Sequence, residues 1–175
     1  MKIALLGAES SGKTQLALNL AAHCQAAGRT AHVVAEYLRE WCDRKGRTPR
    51  PDEQEAIACE QARRVDSAPA CDVLISDTTP LMVAIYSELL FDDRSLYGFA
   101  GAHQSSYDLT LVMGLDLPWV ADGHQRDGPH VREPVDALLR RALYGSATVY
   151  GVVYGWQDER LTHALSAIDF VALRN

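Results

Sequence analysis

The sequence has no apolar run approaching the ~18 residues that a membrane-spanning helix needs. Its opening stretch, Met1-Lys2-Ile3-Ala4-Leu5-Leu6, meets Gly7 and polar residues too soon for a secretory leader. Cysteine is sparse: Cys24, Cys42, Cys59 and Cys71 stand at spacings that suit neither a disulfide framework nor a zinc site. The six histidines contain no i, i+4 pair. Positive charge is also short, with 17 Lys and Arg against 23 Asp and Glu and a net charge of -6. That sign is wrong for a protein whose main partner is a polyanion. No Gly-x-Ser-x-Gly elbow is present, which leaves serine hydrolysis without its usual nucleophile. These absences predict a cytoplasmic protein with reduced thiols, no zinc, no membrane and no nucleic-acid partner.

What remains is a chain of 175 residues, 47% hydrophobic and 23% charged, the balance of a soluble globular domain. No linker, repeat or low-complexity tract divides it, so residues 1–175 are expected to form one domain. Short apolar runs at Ile3–Leu6, Thr30–Ala35, Asp72–Ser76, Leu109–Met113 and Ala147–Val153 read as strands. Helical patterns fall between them, at Lys13–Ala27, Glu36–Arg44, Pro51–Ser67, Pro80–Phe91, Val135–Tyr144 and Asp158–Ile168. Asp92–Ser106 reads as loop with a helical piece, and Leu117–Pro134 as a long polar loop. Strands alternating with helices predict an α/β fold, a three-layer sandwich around a five-stranded, mostly parallel sheet with a lid loop.

The first turn carries the chemistry. Gly7-Ala8-Glu9-Ser10-Ser11-Gly12-Lys13-Thr14 matches G-x-x-x-x-G-K-[ST], with a buried strand before it and a helix after it. Glycines let the backbone wrap phosphate oxygens, and the N–H groups at the helix start form an anion site. Gly7, Glu9, Ser10, Ser11, Gly12, Lys13 and Thr14 are therefore the nucleotide-binding candidates. Lys13 faces the β- and γ-phosphates, and the Thr14 hydroxyl is a ligand for Mg²⁺. Such a loop needs a second Mg²⁺ anchor at a neighbouring strand end. Asp77, after Val73-Leu74-Ile75, is the candidate; its other reading is a helix N-cap, a role that Thr78 or Thr79 can also take.

Glu36 ends the second strand candidate, on the sheet edge where ligands bind in open α/β folds. A carboxylate there can accept a proton from a substrate hydroxyl, and one helical turn presents Arg39 and Glu40 with it. Equally, it can be a solvated helix start with an internal Glu–Arg pair. Arg126 and Arg132 lie in the polar loop with Asp122, His124 and Asp127, and a mobile arginine is a common stabiliser of a moving phosphoryl group. The loop lacks the Asn-Lys-x-Asp guanine motif of a GTPase, as does the rest of the chain, and the domain is short for a large ATPase machine. A small-molecule kinase fits better, with ATP and Mg²⁺ as cofactors and Glu36 or Asp77 as the base.

Beyond the phosphate loop, four runs stand out: Glu36-Tyr37-Leu38-Arg39-Glu40, Ile75-Ser76-Asp77-Thr78, Tyr107-Asp108-Leu109-Thr110-Leu111, and Pro118-Trp119-Val120-Ala121-Asp122-Gly123-His124-Gln125-Arg126. With them the chain resembles the ribosylnicotinamide kinase domain of NadR-type NAD-biosynthesis proteins, a P-loop family grouped with AAA-like ATPases. The resemblance implies phosphorylation of the 5′-hydroxyl of nicotinamide riboside by ATP, giving nicotinamide mononucleotide. It implies that Lys13 and Thr14 hold phosphates and Mg²⁺, that Glu36 and Arg39 lie near the acceptor, and that Asp77 serves the metal or the acceptor. Arg126 would close over the phosphates, with Arg132 as its alternative, because Asp122-Gly123-His124-Gln125-Arg126 is one residue longer than the family's common spacing. Gln61 resembles a substrate-side glutamine, and Tyr37 and Trp119 are candidates for stacking on a flat base. The long NadR proteins place a DNA-binding segment and an adenylyltransferase domain before the kinase, and neither is expected here. A deoxynucleoside or vitamin-like alcohol is the alternative acceptor, and a non-catalytic ATP-binding regulatory module the alternative role.

Overall fold

The computed structural model describes residues 1–120, 128–146 and 148–172. Its strands are β1 (Lys2–Leu6), β2 (Ala31–Val34), β3 (Val73–Asp77), β4 (Leu109–Met113) and β5 (Tyr150–Val153). They form one sheet in the order β2-β3-β1-β4-β5, and every neighbouring pair is parallel. Among the described residues seven α-helices accompany them: α1 (Lys13–Ala26), α2 (Tyr37–Lys45), α3 (Gln54–Asp66), α4 (Pro80–Phe91), α5 (Tyr97–Gln104), α6 (Arg132–Tyr144) and α7 (Asp158–Ala172). None of the described helices is long and apolar enough to cross a membrane.

The alternation along β1 explains the layers. Ala4 and Leu6 join a core with α2, α3, α4, α5 and α6 on one face, while Ile3 and Leu5 join a core with α1 and α7 on the other. Ile3–Leu6 of β1 and all of β4 are buried, and each such Leu or Ile stabilises the fold by about 1.5–3 kcal/mol. The result is the α/β three-layer sandwich with its sheet wholly parallel.

Several boundaries differ from the sequence reading, for local reasons. The expected helix from Pro51 begins as a 3₁₀ turn, Pro51–Glu53, before α3 takes over. Part of the expected loop before β4 is α5. The polar loop ends sooner than Pro134, because α6 starts at Arg132 after a 3₁₀ turn, Pro129–Val131. Pro134 then falls in the first helical turn, where a missing N–H has no intrahelical acceptor to lose. Strand β3 runs one residue further than expected, to Asp77, which pairs with Leu5 of β1. At its other end Asp72 stays outside the strand, its carboxylate accepting the Thr30 N–H and hydroxyl, both at 2.7 Å.

Candidate active site

The phosphate loop leaves β1 at Gly7, whose φ is +151° and whose absent Cβ would lie 2.9 Å from Met113 Cβ. Two more residues, Ser10 (φ 53°) and Gly12 (φ 80°), adopt the left-handed conformation that turns the chain into α1. The buried Ser11 hydroxyl donates to the Ala8 carbonyl at 2.6 Å and braces the loop from inside. The Lys13 ammonium folds back onto the Gly7 and Ala8 carbonyls at 2.9 and 3.0 Å. It thus already spans the concavity that the loop encloses.

The Thr14 hydroxyl donates to Asp77 Oδ2 at 2.5 Å, joining the start of α1 to the end of β3. Asp77 is 2% exposed, and its Oδ1 is buried with no hydrogen-bond partner. A buried carboxylate oxygen without a partner is costly unless a ligand completes it. A hydroxyl and a carboxylate beside a phosphate loop are the hard oxygen donors that Mg²⁺ takes, with phosphate and water filling the other positions. Among the described residues no cluster of three or more His, Cys, Asp or Glu could hold a metal on its own, so that donor set fits a cation shared with phosphate. The helix after Asp77 does not use it as a cap: the Thr79 hydroxyl accepts the Leu81 N–H at 3.3 Å.

Gly7, Glu9, Ser10, Gly12, Lys13 and Thr14 line a cavity of about 1040 Å³. Its lining includes Glu36, Leu38 and Arg39 after β2, Gln54 of α3, and Met82, Val83, Tyr86 and Phe91 of α4. It also includes Leu18 of α1, Leu117 and Pro118 after β4, and Trp156 after β5, and β4 and β5 lie across β1 from β2 in the sheet. Glu36 is the N-cap residue of α2, in extended conformation, and Arg39 Nε lies 3.9 Å from its Oε2. Glu40, one residue further on, turns away: Arg64 donates to it at 2.6 Å and holds its carboxyl below the usual range. The expected triplet is therefore split, with Glu36 and Arg39 lining the cavity and Glu40 of α2 paired with Arg64 of α3.

Gln61 is 1% exposed and does not line the cavity. Its carboxamide accepts the Tyr37 N–H at 2.7 Å and donates to the Ala35 carbonyl at 3.4 Å, gripping the backbone on both sides of Glu36. Truncating it leaves those groups unpaired, at roughly 1–3 kcal/mol. Gln61→Ala is accordingly expected to lower the denaturation midpoint in urea, with Gln61→Glu milder; an unchanged midpoint would contradict the grip.

The remaining expected site residues divide. Tyr37 is not among the cavity-lining residues; Arg64 lies over its ring at 4.4 Å and Arg44 donates to its hydroxyl at 3.1 Å. Trp119 also stands off the cavity wall, its indole N–H donating to Glu9 Oε2 at 3.1 Å. Ser10 exchanges hydrogen bonds with the Val120 backbone, at 2.8 and 3.1 Å. Glu9 and Ser10, both at variable positions of the loop motif, thus fasten the segment after β4 to the phosphate loop. Arg132 is buried rather than mobile: it donates to the carbonyls of Leu117 and Leu115 at 2.9 and 3.4 Å and does not line the cavity. Arg126, with Asp122, His124 and Asp127, lies outside the described residues.

Three residues of the site escaped the sequence reading. Gln54 is 4% exposed and lines the cavity, yet its carboxamide has no hydrogen-bond partner among the described residues. Trp156 lines the cavity too, on the turn between β5 and α7. Arg160 of α7 is 5% exposed and donates to the Ser11 carbonyl of the phosphate loop at 2.8 Å and to Asp116 at 2.8 Å. Burial pulls its pKa below the ordinary arginine value while Asp116 opposes that shift. For Trp156 a signal existed, an aromatic beyond the carboxyl end of a strand. Gln54 and Arg160 had none.

A family model described as an AAA domain matches residues 2–160. No curated protein matches the chain. Among solved structures, the NadR protein in complex with NR superposes with a TM-score of 0.75 at 20% identity, over 97% of this chain and 50% of that one. The chain thus spans half the length of that NadR chain. Deoxyadenosine kinase from M. mycoides, with the products dCMP and dCDP bound, gives 0.63 at 14% identity, over 98% of this chain and 100% of the kinase. The same kinase with bound dATP gives 0.61 at 14% identity, over 97% and 99%. At these identities the likeness is one of fold.

Proposed function

This chain belongs to the AAA domain family, and we propose that it is a small-molecule kinase, one domain over residues 1–175, that transfers the γ-phosphoryl group of ATP to the hydroxyl of a nucleoside-like acceptor. The reading rests on one observation. Lys13, Thr14 and Glu36 line a single cavity, and Asp77 accepts the Thr14 hydroxyl. The phosphate-binding groups and a carboxylate thus face one space, large enough for a donor and an acceptor together.

In this reading Lys13 leaves the Gly7 and Ala8 carbonyls for the β- and γ-phosphate oxygens. Thr14 and Asp77 would hold Mg²⁺, which, when bound, neutralises charge on the phosphates. Asp77 Oδ2 is committed to Thr14, and Asp77 does not line the cavity, whereas Glu36 does. Glu36 is accordingly the base: it takes the acceptor's hydroxyl proton as that oxygen attacks the γ-phosphorus and the β–γ bridging oxygen leaves with ADP. Arg39 supplies positive charge beside it. The carboxamide of Gln54, a donor and an acceptor side by side, would satisfy itself on the polar edge of the acceptor. Met82, Val83, Tyr86 and Phe91 keep water from competing for the phosphoryl group.

The acceptor we favour is nicotinamide riboside, phosphorylated at its 5′-hydroxyl to nicotinamide mononucleotide. Support comes from the Glu36–Glu40 and Asp77 runs and from the NadR superposition. A deoxynucleoside is the second reading, favoured by a match that spans the whole deoxyadenosine kinase chain. ADP release with ATP and Mg²⁺ should rise on adding nicotinamide riboside, with the mononucleotide as product. A response to deoxyadenosine alone would select the second reading. A response to no nucleoside-like acceptor would remove the kinase assignment and leave a regulatory ATP-binding module.

A further inference from the structure

Strand β3 lies between β1, which leads into the phosphate loop, and β2, which leads to Glu36. Val34 pairs with Ser76, and Glu36 and Thr78 each stand two residues beyond that pair. Thr78 is thus the first residue past β3, at the sheet edge where a phosphoryl group would pass from the loop to the acceptor. It lines the cavity.

The backbone of Thr78 is unusual. Its φ is 75°, and of the four non-glycine residues with positive φ among the described residues it alone is β-branched. For such a side chain the left-handed region is an outlier, whereas glycine takes it freely. The backbone is nonetheless held there. The Thr78 N–H donates to the Leu5 carbonyl at 3.1 Å, and its carbonyl accepts the Ser76 hydroxyl at 2.5 Å. With both backbone groups committed, the side chain is what Thr78 brings to the cavity.

That side chain is also unmet. Thr78 is 3% exposed, and its hydroxyl is buried with no hydrogen-bond partner among the described residues. The next residue shows what a structural threonine does here: the Thr79 hydroxyl accepts the Leu81 N–H at 3.3 Å and donates to Gln104 at 2.7 Å. Thr78 caps nothing and braces nothing. A buried polar group left without a partner is costly, and strained backbone collects where a ligand repays it.

We propose that the Thr78 hydroxyl is a catalytic hydrogen-bond donor to the phosphoryl group in transfer; the proposal rests on the kinase reading of the cavity. Thr14 and Asp77 already offer oxygens to a cation. The Thr78 hydroxyl instead has a hydrogen to place, and the equatorial oxygens of the moving group are the acceptors that carry its charge. In the transfer the acceptor oxygen bonds to the γ-phosphorus, its proton goes to Glu36, and the bond to the β–γ bridging oxygen breaks with its electron pair leaving on ADP. Thr78 keeps its own proton and lends only the hydrogen bond. A donor that is unpaired beforehand and fixed by its backbone needs no reorganisation to do so.

The test measures ADP release with ATP, Mg²⁺ and nicotinamide riboside, or deoxyadenosine if the wild type responds only to that, beside the denaturation midpoint in urea. Thr78→Val keeps the shape and removes the donor. Its kcat should fall by about 10²–10³-fold, the loss expected for one preorganised donor. KM for either substrate should change by no more than about threefold, as when an interaction belongs to the transition state. The midpoint should hold or rise, because a methyl replaces an unpartnered hydroxyl. Thr78→Ser, which keeps the hydroxyl, should recover most of the lost rate. Thr78→Gly suits the left-handed backbone and should lose rate as valine does, which keeps the test decisive if valine is not tolerated. Full turnover in a folded Thr78→Val or Thr78→Gly protein would overturn the proposal. So would a rate loss that Thr78→Ser shares in step with a lowered midpoint, or a loss confined to KM for the acceptor. A wild type that releases no ADP with either acceptor would instead remove the kinase reading on which the proposal rests.

Discussion

Lys13→Ala is expected to reduce acceptor-dependent ADP release by about 10²–10³-fold, the loss seen when a single preorganised group is removed from a developing charge. The structure explains why the loss should be catalytic and not conformational. The lysine's two hydrogen bonds go to Gly7 and Ala8, carbonyls of its own loop. The loop is braced independently by Ser11 on Ala8 and by Arg160 on the Ser11 carbonyl. Removing a part-exposed ammonium leaves those braces in place, so the melting temperature should move by only a degree or two. Lys13→Met, which keeps the aliphatic stem, should behave alike. Full turnover in a folded Lys13→Ala protein would mean that phosphoryl transfer, if it occurs, happens elsewhere.

The parts of this site that a reader of the sequence could find are those whose partners lie close along the chain or on predictable strand ends. The phosphate loop is one contiguous octet between a strand and a helix. Asp77 was legible because three apolar residues precede it and because a parallel sheet sends all its strand ends to one edge. The misplacements have a different origin. Gln54 and Gln61 stand seven residues apart, about two turns, and so share a face of α3. Periodicity puts both towards the sheet but cannot tell which end of the helix overhangs the cavity. The structure gives the cavity to Gln54 and the Glu36 backbone to Gln61. Tyr37 and Trp119 were reasonable stacking candidates, but their partners, Arg64 and Glu9, lie 27 and 110 residues away in sequence. Arg132 was read as a mobile loop residue because it falls in the polar stretch from Leu117 to Pro134. One helical turn more converts it into a buried clamp on Leu117. Arg160 is the extreme case. An arginine in a helix 149 residues beyond Ser11 carries no local sign that it will hold the phosphate loop.

A pair of isosteric substitutions separates the two carboxylates. Glu36→Gln keeps the shape of the side chain and removes its basicity. It should lower kcat by about 10²–10⁴-fold, the range of general-base contributions, while KM for ATP changes little, because the proposed role of Glu36 is on the acceptor. Asp77→Asn should act on the other side of the reaction. It replaces a carboxylate bonded to Thr14 with an amide, and its second buried position becomes an NH₂ group or an uncharged oxygen. An amide is a poor ligand for a hard divalent cation compared with a carboxylate. The Mg²⁺ concentration giving half-maximal activity should therefore rise at least several-fold, and raising Mg²⁺ should recover part of the lost rate. No amount of Mg²⁺ should recover Glu36→Gln. Initial rates across a Mg²⁺ titration, run on both variants with the same acceptor, decide the matter. If Asp77→Asn is insensitive to Mg²⁺ and Glu36→Gln is rescued by it, the roles are reversed, and the buried carboxylate at the end of β3 is the base.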